Sequence, residues 1–476
     1  MTNRADEKSF AAKVRARWNL RKSRLPPGPK GLPVLGNVVP FMRDPLGFCV
    51  AMSRAYPQLF TTSLGRLQVE VWINDPGLIE EMFVGQAKSY RKDSITRQLI
   101  PILGRGLLTS EGELWRTQRK LAAPAFQPKR IATYAQSMTE CTARFARSLR
   151  DNEQRDLHAD IMKVTMEIVG KTLLGVDTEQ DAEQVSKSLE EMVSYYEKSL
   201  LSAEAFLMAF MRTPALARFE TAIAQLDSIV ARIIDNARKD SNADYLLARL
   251  LAARTEDGQP MSDRQARDEA TTMLLAGHET TALTITFGLY ELSRHPQHEA
   301  RLREELAQFG TTALTPDDLN RMPFLDAVIK EVLRLYPSVW IIGRELLQPV
   351  ELAGYTLPAG LEVVTIPYAL HRDPRYFREP EQFNPERWLD PSQTPPRYAY
   401  IPFGLGPRSC IGGGFAKMEA ALVLATLLQH VSIQCVPGFQ LALKPVITLR
   451  PKAGLPVIVR RVQQASDSQK LTAASG

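Results

Sequence analysis

The sequence predicts a mainly α fold with a minor β part, built as a single large domain, and three observations carry that reading. From about Lys120 to Leu306 long amphipathic segments dominate, with few Gly or Pro. Short β-like runs such as Leu67 to Ile73 stand before this stretch, and short strands and turns follow it. No linker, internal repeat or low-complexity block divides the 476 residues, although length alone would allow two or three domains.

In chain order, residues 1–24 form a basic leader. It holds eight Lys or Arg against Asp6 and Glu7, which is the whole +6 excess of the protein. The rest of the body is close to neutral, which argues against nucleic-acid binding, since that needs a basic stripe on a folded face. Phe10, Val14 and Trp18 recur at helical spacing. The leader therefore reads either as a solvated terminus or as a short amphipathic helix touching a membrane surface. No apolar core follows the basic residues as in a signal peptide, and no run of ~20 apolar residues occurs. The longest apolar stretch, Met273 to Leu292, is interrupted by His278 and Glu279. A soluble, cytoplasmic protein without a transmembrane anchor is expected.

The domain body, 25–462, starts with a stiff Pro-rich segment, Leu25 to Pro33, that cannot be helical. After the long helical stretch, a helix is expected from about Phe324 to Leu335, stopped by Pro337. An irregular stretch from His371 to Arg397 follows, in which His371 reads as turn chemistry. Then come a Gly-rich loop and a last helix from about Gly413 to His430. The polar tail, 463–476, reads as disordered. Four cysteines lie far apart, with no Cys-x-x-Cys pair, against a disulfide framework or a structural zinc site.

The sharpest segment for chemistry runs from Pro402 to Gly413. Glycines around Cys410 allow a tight loop whose N–H groups can point at the sulfur, and the start of the next helix adds its dipole. Both stabilise a thiolate. The spacing Phe403-Gly404-x-Gly406-x-Arg408-x-Cys410-x-Gly412 matches the haem-binding signature of the cytochromes P450, and the sequence resembles that superfamily in its soluble, bacterial form. The resemblance implies one haem b with Cys410 as the proximal iron ligand, Phe403 packed near the sulfur, and Arg408 on a propionate.

Further motifs stand in the family's order. Glu331 and Arg334 share a helix face at i, i+3, and Phe383 to Trp388 matches the family's meander. The resemblance places Arg387 with Glu331 and Arg334 in a buried charge network that braces the haem loop. Ala276-Gly277-His278-Glu279-Thr280-Thr281 puts polar groups inside an apolar helix, which suggests a site. The family sets this helix over the distal haem face: Gly277 leaves room for dioxygen, and Glu279 with Thr280 forms the acid–alcohol pair that delivers protons. His278 is expected to point away. Trp115 and Arg119, at i, i+4, resemble the family's propionate motif, and Arg344 is a further propionate partner on the same ground.

The reaction so implied inserts one oxygen atom from dioxygen into an apolar C–H or C=C bond. Electrons come from a separate ferredoxin or flavodoxin with its reductase, since no redox domain is fused on. Candidate pocket residues are Ala276, Trp340, Ile341 and Ile342, with Trp340 large enough to restrict access to the iron. They suit an apolar substrate, terpenoid or fatty-acid-like, and the protein is expected to be a monomer. Two rivals remain: a peroxide-driven hydroxylase or isomerase, and a non-enzymatic haem sensor. Glu279 with Thr280 argues against both.

Overall fold

The computed structural model describes residues 24–65, 68–175, 179–201, 213–240, 245–254 and 258–462. The stripe at Phe10, Val14 and Trp18 and the tail 463–476 lie outside them.

The molecule is organised around a helix of 32 residues, Asp263–Arg294. Ser262 starts it with a capping box: its hydroxyl accepts from the Gln265 N–H while the Gln265 side chain accepts from the Ser262 N–H. From Ala266 onward most of its residues are buried, because Leu157–Val169, Pro214–Lys239, Pro323–Leu335 and Gly413–His430 all pack on it. A helix covered on several sides tolerates apolar residues all round, which is why its sequence looked like one long apolar stretch. Phe287 stacks on Tyr336 at 4.4 Å and ties it to the end of Pro323–Leu335.

The main sheet has five strands in the order Leu59–Ser63, Val69–Ile73, Glu362–Thr365, Ile342–Leu346, Tyr90–Lys92. Only the Val69–Ile73 and Glu362–Thr365 pair is parallel. Alternation along Val69–Ile73 serves two cores. Val71 and Ile73 pack with Leu346 and Val363 on one face; Trp72 packs with Phe60, Val364 and Trp340 on the other. At the far edge the register sets Lys92 directly opposite Arg344. A hairpin of Leu443–Pro445 and Leu449–Pro451 returns Thr448 and Arg450 to the central helix.

The expected helices at 324–335 and 413–430 are present as Pro323–Leu335 and Gly413–His430, and the β-like run forms Val69–Ile73. The irregular stretch carries only short 3-10 turns at Pro385–Trp388 and Pro391–Gln393. Two π-helical turns, Glu81–Gly85 and Gly170–Leu174, were not expected, since one extra residue per turn leaves no periodic trace in so short a run.

Candidate active site

The Cys410 loop is shaped by its glycines. Gly404 and Gly406 take φ of +68° and +65°, and a Cβ on Gly406 would lie 2.6 Å from the Phe83 carbonyl oxygen. The Cys410 N–H donates to Phe403 O at 2.8 Å and closes the loop, so it is spent on the backbone and does not aim at the sulfur. The donor that serves the thiol is the Gly412 N–H. Protein enclosing the sulfur pushes its pKa up, while Gly412 and the Arg119 guanidinium pull it down. The residue remains exposed on one side, just ahead of the last helix. A Cβ on Gly413 would sit 3.4 Å from the Phe403 ring, so this glycine lets the aromatic lie against the helix start.

Cations gather beside the loop. Arg119 Nη1 donates to Ser409 O at 2.9 Å. Arg408 Nη2 donates to Ser110 O at 2.9 Å and pairs with Glu111, and its guanidinium lies over the Trp115 ring at 4.1 Å. Arg344 is 5% exposed and faces Phe83 and Tyr90. Lys92, buried opposite it, is pushed down to about 7 by burial and by Arg344 and Arg408. Like charges set opposite each other on paired strands oppose folding, and Arg344 Nε and Arg408 Nη1 are buried with no partner. Lys92, Arg119, Arg344 and Arg408 thus exceed Asp93 and Glu111, and buried donors of this kind call for acceptors. Two propionates beside a cysteine sulfur meet both needs, so the residues fit haem b.

Across the central helix, Ala276 is exposed and Leu275, Gly277 and Thr280 are half-buried, with buried residues before and after. Thr280 Oγ1 donates to Ala276 O at 2.8 Å, a bond within its own helix. The Thr280 carbonyl accepts from Ser338 Oγ at 2.9 Å and Thr284 Oγ1 at 3.1 Å. Glu279 is held by Thr448 Oγ1 at 2.5 Å and by Arg450 Nε. Burial raises its pKa, but Arg450 and Thr448 more than reverse this and hold the carboxyl below the usual range. His278 is buried, with Nδ1 3.0 Å from Leu274 O.

Packing sets the place of two further site residues. A Cβ on Gly277 would meet Val169 Cγ2 at 3.2 Å and Leu173 Cδ1 at 3.6 Å. The glycine thus lets the neighbouring helix end pack closely on the central helix. With Ile341, which packs against the same cluster, Trp340 stands apart from Ile342. Its indole donates to Val446 O at 2.8 Å and packs with Leu46, Phe60 and Trp72 on the opposite sheet face. Ile342 instead reaches the Cys loop, its Cδ1 4.0 Å from where a Gly404 Cβ would stand, and Ile341 is half-buried.

Glu331 and Arg334 are both fully buried and bonded through two contacts of 2.8 Å. Arg387 Nε adds a third donor to Glu331 at 3.1 Å. Sequence reasoning missed Lys92, Ser338, Thr448 and Arg450. Of these only Lys92 left a trace, as a charged residue inside a β-like run, Tyr90–Lys92.

Sulfur donor, surplus cations and an open helix face together define a haem-thiolate protein. The cytochrome P450 family model matches residues 26–454, and the chain belongs to the cytochrome P450 family, with haem b as its cofactor and monooxygenation as its activity. Among its relatives, "Cyclooctatin synthase" of Streptomyces melanosporofaciens is 32% identical over 428 residues, covering 88% of this chain and 92% of that one. "Pentalenene oxygenase" of Streptomyces avermitilis is 32% identical over 420 residues, covering 86% and 91%. A cyanobacterial cytochrome P450 solved with retinoic acid bound superposes with TM-score 0.82 and 27% identity, over 92% of this chain and 100% of that one. No helix among the described residues is long and apolar enough to cross a membrane.

Proposed function

We propose that the chain oxygenates an apolar, terpenoid-like substrate with electrons from a separate ferredoxin or flavodoxin and its reductase. The observation that carries this reading is the accessible, apolar Ala276 one turn from Thr280 on a helix most of whose residues are buried, with Ile342 reaching the Cys loop. Two bacterial relatives are named for cyclooctatin and pentalenene, and the structural neighbour holds retinoic acid, which supports a terpenoid over a fatty acyl chain. Bound haem supplies the dioxygen and electron chemistry, which the cysteine thiolate tunes toward O–O cleavage. Cys410 would hold that group through its sulfur, and Lys92, Arg119, Arg344 and Arg408 would pair with its carboxylates. Thr280 Oγ1 would give up a proton on the reacting side and be reprotonated in turn, and Glu279, oriented by Arg450 and Thr448, would take protons from solvent and pass them toward it. A library of terpene hydrocarbons and fatty acids, screened for displacement of water from ferric iron and then for turnover with a surrogate reductase, tests the substrate class. Oxygenated terpene products are expected; turnover of fatty acids alone would overturn the assignment.

The peroxide-driven reading predicts indifference to the alcohol. Thr280→Ala should instead leave haem and substrate binding intact while several times more of the reductant ends as peroxide. Unchanged coupling of electrons to product would contradict the proton-delivery role.

Electron supply gives a further prediction. Arg116, Lys120, Lys129 and Lys417 are exposed on the segments around the Cys loop. Lys417 sits 5.5 Å over the Phe403 ring, and Arg116 shares its charge with Glu113. An acidic partner would be steered to this face in a short-lived complex. Reduction should slow as ionic strength rises, because exposed charges are screened beyond ~8–10 Å, and Lys120→Glu with Lys417→Glu should slow it strongly without changing substrate binding. A wild-type reduction rate in that double variant would place the docking face elsewhere.

A further inference from the structure

The segment just after the basic leader is an apolar surface with no cover. Of the eleven exposed large apolar residues among the described ones, five lie within eleven positions: Leu32, Val34, Leu35, Val39 and Met42, each 39–53% exposed. They occupy a turn and the short helix Val38–Arg43, which buries none of its residues. The segment is firmly attached. Asn37 donates its N–H to Ser63 O at 2.6 Å, and its side-chain oxygen accepts from Thr62 Oγ1 and the Ser63 N–H. Phe41 packs edge-on against Phe48 and Trp72 at 5.9 and 6.2 Å. The inner face is therefore anchored to the sheet, and the outer face is apolar where a surface helix carries polar residues.

What covers it follows from charge. Between Lys8 and Arg43 the sequence has nine Lys or Arg and no Asp or Glu, and Lys30 and Arg43 flank the apolar positions as exposed residues. An apolar patch inside an unbroken cationic stretch matches the two components of an anionic bilayer surface, acyl chains and headgroup phosphates. We propose that residues 30–43 dock the protein peripherally on an anionic lipid bilayer, with Val39 and Met42 entering the acyl boundary and the surrounding bases contacting headgroups. This does not depend on which substrate the enzyme takes.

The test is flotation of the full-length holoprotein with vesicles of phosphatidylcholine alone and of phosphatidylcholine with phosphatidylglycerol. Binding is expected only to the anionic vesicles, weakening with salt. Val39→Asp with Met42→Asp should reduce it roughly tenfold or more, since two apolar side chains no longer leave water. An unchanged carbon monoxide spectrum reports that this variant is folded. Three results overturn the proposal: no flotation with anionic vesicles, binding that the double variant does not weaken, or a wild-type dimer in lipid-free solution that the double variant turns into monomer. The last would assign the patch to a second copy of the chain.

Discussion

Replacing Arg334 by alanine is expected to yield protein that holds little haem and is destabilised by about 3–5 kcal/mol. The guanidinium is fully buried and gives five hydrogen bonds: two to Glu331, and one each to the carbonyls of His371, Pro380 and Gln382. Its removal leaves the Glu331 carboxylate in the core with Arg387, the Trp388 indole and the Asn384 N–H as remaining donors. It also strands the three carbonyls that hold the meander. Burial pushes the Glu331 carboxyl up, and Arg334 and Arg387 bring it below the usual range. A depressed carboxylate contributes stability in full above its unfolded pKa, and loses it as pH falls through the folded one. The wild type should therefore lose stability in acid, and Arg334→Ala should lose part of that dependence. Haem-to-protein ratio and urea unfolding measure the effect. Full haem content with a wild-type midpoint would show that the network does not brace the loop.

The parts of the site legible in the sequence were those carried by local spacing. Phe403 to Gly412 sits within one loop, Glu331 and Arg334 within one helical turn, and Ala276 to Thr281 within one helix, so periodicity and turn chemistry reach them. What escaped depends on contacts between distant segments. Glu279 and Arg450 meet across 171 positions, and Lys92 stands opposite Arg344 only once the sheet has formed. His371, read as turn chemistry, is a fully buried hub whose Nε2 accepts from the Ile401 N–H at 2.9 Å. Burial and the nearby Arg334 and Arg372 push it down to about 3, so it stays neutral. Trp340 was misplaced because it precedes the strand Ile342–Leu346, where pleat parity assigns faces only after the register is known. Gly277 shows the same limit: a glycine signals close approach, but the neighbour belongs to another helix.

The central claim is that Cys410 is the axial ligand, and the competing thiols are poor candidates. Cys49 is fully buried and its thiol is pushed far up by that burial, Cys141 is pushed up to about 12, and Cys435 lies against Ser293 on a different part of the fold. The most direct measurement is the absorption spectrum of the reduced carbon monoxide complex, for wild type and for Cys410→Ser. The account predicts the red-shifted Soret band of thiolate ligation in the first and its complete loss in the second, whether or not the variant retains haem. A Cys410→Ser protein that keeps the band would contradict it.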